Sequence, residues 1–88
     1  MVTAREAISH AKTAITNFYT TMETSDFLLE EVELSDDNSH WTITFSMPDK
    51  NPTEASFARD LLGNARKYKI IIIDATNGKF KAMKIRKL

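Results

Sequence analysis

The side chains best suited to acid–base or metal chemistry near neutral pH are two histidines, His10 and His40. His10 falls on or beside the polar flank of a helical pattern, and His40 directly precedes Trp41 at the entry to an alternating run. Neither has a second ligand at metal spacing, so both read as surface or turn histidines. Asp36-Asp37-Asn38 is rich in oxygen atoms. It lacks the spaced ligands and closing glutamate of a calcium loop, and reads as a solvated turn. Glu30, Glu31 and Glu33 alternate across an extended run rather than converging as a general acid and base would. No nucleophile elbow or phosphate loop surrounds the serines and threonines. There are no cysteines, which removes disulfides and thiolate ligands. Asp74 reads as the organiser of its own turn, accepting from nearby backbone amides. The residue types point to a protein that is not an enzyme and carries no cofactor or metal.

The charged residues offer a second kind of chemistry. The chain is neutral overall, yet residues 1–65 carry four Lys/Arg against eleven Asp/Glu, and residues 66–88 carry eight against one. Lys79, Lys81, Lys84, Arg86 and Lys87 form a candidate basic patch. Phosphate tracking wants aromatic side chains among the cations, and Phe80 is the only aromatic after Tyr68. A molecule without excess charge also has little hold on a polyanion. Nucleic-acid binding is therefore the weaker reading. The preferred one is that acidic and basic strands complement each other within the sheet or across a dimer.

These side chains must be carried by elements, and 88 residues make one domain, 1–88, with one core. Hydrophobic content of 42% with 27% charged residues is that of a globular chain. No signal-peptide pattern opens the sequence and no apolar run approaches spanning length, so a cytoplasmic protein with no membrane partner is expected. Thr3-Ala4-Arg5-Glu6 fits a capping box. Apolar residues then recur at helical spacing through Ala7, Ile8, Ala11, Ile15, Phe18 and Met22, predicting a helix over Ala4–Met22. Its alanine-rich first half can lie close to a sheet. Phe27–Ser35 reads as a strand, 35–39 as a turn, and Trp41–Met47 as a strand of strict alternation ended by Pro48. Residues 53–62 read as a short helix or a long loop, with Phe57, Leu61 and Leu62 on one side. Lys67–Ala75 is a strand apolar on both parities, as suits one covered on both faces. A strand beginning at Phe80 switches parity near Ala82, which predicts a β-bulge. The expectation is an α+β fold: one long N-terminal helix packed on a curved four-stranded antiparallel meander.

The helix opening Arg5-Glu6-Ala7-Ile8, the strand Trp41–Phe45 and the hairpin from Tyr68 through Asp74-Ala75-Thr76-Asn77-Gly78 to Phe80 together resemble the PepSY domain. Asp74, Ala75 and Gly78 match that family's turn, while Asn77 stands where it usually has threonine. The resemblance implies a cystatin-like arrangement and a peptidase-binding or peptidase-inhibiting role. It also extends to short cytosolic bacterial proteins of this layout.

The apolar supply exceeds what one helix covers. If Ile71 and Ile73 face it, Tyr68, Ile70 and Ile72 point away, expected beside Phe27 and Leu29. With Phe57, Leu61 and Leu62 these form the candidate interaction surface, and either the 53–62 segment folds over the cluster or a second copy or another protein does. The expected function is a protein-interaction module whose partner is another protein or a second copy, as a homodimer.

Overall fold

The first helix begins where its cap predicts. The structure, a computed structural model, describes residues 1–20, 22–48 and 66–86. In it Thr3 Oγ1 accepts from the Glu6 backbone N–H at 3.1 Å, and Glu6 Oε1 accepts from the Thr3 N–H at 2.9 Å. The helix, α1, spans Ala4–Phe18. The segment before it is pinned as well: the Val2 N–H donates to the Ala75 carbonyl at 2.7 Å, and Trp41 Nε1 donates to the Val2 carbonyl at 3.2 Å.

Four strands follow: β1 (Leu28–Leu34), β2 (His40–Pro48), β3 (Arg66–Asp74) and β4 (Phe80–Arg86). They pair in sequence order as one antiparallel sheet. The fold is α+β, with α1 laid on one face of the sheet. Ala7, Ala11 and Ile15, spaced four apart, are wholly buried against Ile43, Phe45, Ile71 and Ile73. Alanines at the contact let the helix axis approach closely, as their positions predict.

One boundary and one burial depart from expectation. α1 stops at Phe18 instead of Met22, because Tyr19 leaves helical geometry (φ −120°, ψ 71°) and the Met22 N–H turns back to the Tyr19 carbonyl. Met22 nonetheless stays in the core, so its apolar spacing reported burial rather than helix. A 3-10 turn, Thr24–Asp26, then leads into β1. Phe27, expected on the outer sheet surface, is 4% exposed and packs its ring 6.2 Å from that of Tyr19. The segment 53–62, with Phe57, Leu61 and Leu62, lies outside the described residues, as does Lys87.

Both edge strands carry a bulge. The one in β4 sits opposite Ile72 and Ile73, leaving Lys81 as the extra residue beside Ala82, where the parity switch placed it. The other leaves Glu30 extra in β1, and it rewrites the reading of that strand. Leu29 now shares a face with Val32 and Leu34, while Leu28, Glu31 and Glu33 share the opposite one. Strict alternation over Leu28–Leu34 would have sorted them differently.

With these registers the sheet reads as rows of side chains. On the helix side the rows are Leu29–Phe45–Lys69–Ile85, Val32–Ile43–Ile71–Met83 and Leu34–Trp41–Ile73–Phe80. On the far side they are Leu28–Ser46–Tyr68–Arg86, Glu31–Thr44–Ile70–Lys84 and Glu33–Thr42–Ile72–Ala82.

Candidate functional site

The far-side rows bring together what the sequence left apart. Read from β1 to β4 they pass from glutamates, through the hydroxyls of Thr42, Thr44 and Ser46, to Tyr68, Ile70 and Ile72, and end on Lys84 and Arg86. Tyr68, Ile70 and Ile72 are each half-buried and stand on one strand, as expected. Leu29 is on the helix side beside Phe45, so it does not join them, and Phe27 is in the core. Leu28, not singled out from the sequence, takes the place in the far-side row that Leu29 was expected to hold.

Polar contacts cross this face from the acidic to the basic strands. Ser46 is fully buried; its hydroxyl donates to Glu30 Oε2 at 2.6 Å and accepts from Arg66 Nε at 2.9 Å. A glutamate and an arginine two strands apart are thus joined through one hydroxyl. The β1 bulge makes this possible, since the inserted Glu30 adds a carboxylate to the same face as Glu31. Arg66 Nη2 is buried and has no hydrogen-bond partner among the described residues. One row over, Arg86 Nη1 lies 3.0 Å from Glu31 Oε2, joining the two opposite edge strands. Both side chains are more than a third exposed, so the pair stabilises by about 0–1 kcal/mol. It orients the edges more than it holds them. The complementarity of acidic and basic strands within the sheet, inferred from the charge split, has a physical form in these two contacts. Ser46 and Arg66 were missed from sequence; the signal available was a polar parity running down the middle strand of a sheet.

The basic residues do not form one track. Lys79 lies in the hairpin turn, Lys81 in the bulge, and Lys84 and Arg86 on the far face, where Arg86 is engaged by Glu31.

The remaining chemical candidates serve turns. Asp37 Oδ1 accepts from Ser35 Oγ at 2.7 Å and from the Ser39 N–H at 3.0 Å, closing the turn around Asn38, whose φ is +60°. His40 Nδ1 is 3.0 Å from Ser39 Oγ. His10 reaches from α1 to the far hairpin, where it lies against Gly78. Asp74 Oδ1 accepts from the N–H groups of Thr76 (2.7 Å) and Asn77 (3.3 Å), as its turn role required. Among the described residues, no three His, Asp or Glu side chains come together as a metal's ligand set. Again among the described residues, no helix is long and apolar enough to cross a membrane.

These turn and cap contacts have a pH consequence. The Thr76 amide, with lesser help from Asn77 and Lys81, holds the Asp74 carboxyl below its ordinary value. The Thr3 backbone and hydroxyl do the same for Glu6. A carboxylate whose pKa is lower folded than unfolded stabilises the fold above the unfolded value, about 4, and ceases to do so as pH falls through the folded one. The thermal midpoint is therefore expected to be flat above about pH 5 and to fall below about pH 4. Asp74→Asn should lower it at neutral pH and shallow the acid slope, as followed by circular dichroism melts.

Compared with protein-family models, with curated proteins and with solved structures, the chain matches none.

Proposed function

We propose that this chain is a non-enzymatic protein-interaction module that works through the sheet face turned away from α1. The observation that carries this reading is the set Tyr68, Ile70 and Ile72 on a central strand, none of them fully buried. In an antiparallel sheet the face turned from the core usually carries polar side chains, so three apolar ones side by side there are surplus to the fold. A partly exposed isoleucine forgoes a fraction of the roughly 1.5–3 kcal/mol that full burial supplies. The charges beside them give a partner its orientation, acidic on the β1 side and basic on the β4 side.

A second copy suits that pattern. Stacked face to face about an axis along the strands, it lays its β1 over β4 and its glutamates over Lys84, Arg86 being held by Glu31 of its own chain. The resemblance to PepSY domains, with their cystatin-like frame, makes a peptidase the other partner class. The Asp74–Gly78 turn that carries the resemblance is built around the Asp74 carboxylate.

Ile72→Lys tests the proposal, because it charges the far face without touching the helix-side core. The expected outcome is a folded protein of unchanged or higher solubility whose self-association or partner capture weakens about tenfold or more. Solubility and assembly identical to the native protein would overturn it.

A further inference from the structure

A surface distinct from the far face lies along the two sheet edges. Among the described residues seven large apolar side chains are exposed, and five of them are on the edge strands: Leu28, Leu29 and Val32 in β1, Phe80 and Ile85 in β4. Ile85, at 68% exposed, is more open to water than any residue of the far-face set. The cause is width. A helix about 10 Å across cannot cover four strands spaced about 4.8 Å apart, so the outer ends of the helix-side rows stay partly open, although Phe80 packs its ring 5.4 Å from that of Phe18 in α1 and Met83 lies against the core.

Those row ends match each other. On the helix side β1 ends in Leu29, Val32 and Leu34, and β4 ends in Phe80, Met83 and Ile85. On the far side β1 ends in Leu28, Glu31 and Glu33, and β4 in Ala82, Lys84 and Arg86. Laid beside β1 of another copy in the register of the sheet's own rows, β4 sets Phe80, Met83 and Ile85 against Leu34, Val32 and Leu29 on one face and Lys84 against Glu31 on the other, with Arg86 opposite Leu28 and Ala82 opposite Glu33. Strand direction agrees. In a four-stranded meander β1 and β4 run oppositely, so a copy repeated by translation brings its β1 antiparallel to β4. The symmetric alternatives fail on charge: β1 against β1 opposes glutamates, and β4 against β4 opposes lysines and Arg86. Register is constrained as well, because a slip of one residue would set isoleucine against glutamate.

We infer that this chain self-associates by continuing its sheet, β4 of one copy pairing with β1 of the next. Such a contact is heterologous and does not close on itself, so it builds a row of copies rather than a dimer. Both edges carry the bulges and charges that commonly blunt edge pairing, so the association is weak and confined to an edge of opposite charge. They leave the opposite edge of the same protein as the fitting partner.

The test uses two charge-reversed chains, Glu31→Lys/Glu33→Lys and Lys84→Glu/Arg86→Glu, checked for native circular dichroism and followed by sedimentation velocity. At about 0.01 M ionic strength, where surface charges act over about 30 Å, the native protein should form species larger than a dimer. Carried in the Ile72→Lys background, which takes the far face out of play, each reversed chain alone should lose association by about tenfold or more, and an equimolar mixture of the two should recover it. Should the double variants melt, Glu33→Lys and Lys84→Glu make the same comparison; both positions are exposed. A native protein that never exceeds a dimer, or reversed chains that assemble like it or fail to recover on mixing, would overturn the edge contact. Ile72→Lys separates the two surfaces, since it leaves edge assembly intact and affects only the far face.

Discussion

Ile71→Ala is expected to lower the unfolding free energy by about 2–5 kcal/mol, a large share of what an 88-residue chain has to lose. Ile71 is fully buried at the centre of the helix-side rows, between Ile43 and Met83 and under the alanine face of α1. Its neighbours Ala7 and Ala11 have no length with which to fill the space a truncated side chain leaves. The cost therefore includes a cavity as well as the lost transfer energy. Ile72→Ala, one residue on, removes a half-buried side chain on the other face, and should cost on the order of 1 kcal/mol. Urea unfolding of both variants measures the difference. Equal losses would mean that the two faces of β3 are equally covered.

Gly78→Ala should cost about 1–2 kcal/mol through backbone conformation alone, because Gly78 has φ +76°. A Cβ there would also stand 2.8 Å from His10 Nε2. That clash is the smaller part, since the His10 ring is exposed and can swing aside. The double variant His10→Ala/Gly78→Ala should accordingly regain only a few tenths of a kcal/mol, within the range of weak pair couplings. Gly78→Asn should be milder than Gly78→Ala, because asparagine visits the left-handed region more readily. Recovery of most of the loss by His10→Ala would make the contact, and not the turn, the reason for glycine.

The parts of the fold that rest on local chemistry were legible in the residues. Thr3 and Glu6 marked the start of α1, Trp41–Met47 declared its alternation, and Asp74 with Gly78 marked the last hairpin. The parity change near Ala82 even located a bulge. What escaped was geometry that needs a partner strand. The β1 bulge at Glu30 has no local signature, because Leu28–Leu34 reads as simple alternation until β2 fixes its register. Without the bulge, Leu29 and Phe27 look like neighbours of Ile70, whereas one lies on the helix side and the other is in the core. The end of α1 escaped for a related reason, since Met22 is buried without being helical. The surplus of apolar residues was visible, but counting faces could not show that much of it sits on the edges. That follows from the width of one helix against four strands. The charge split likewise predicted complementarity without showing that it runs through Ser46 and Arg86.

Sedimentation equilibrium of the native chain and of Ile72→Lys, from micromolar to millimolar concentration at physiological ionic strength, tests the far-face reading most directly. Self-association in the native protein that weakens about tenfold or more in a folded Ile72→Lys variant is the predicted result. A native chain that stays monomeric throughout, with Ile72→Lys indistinguishable from it in mass and solubility, would contradict the account.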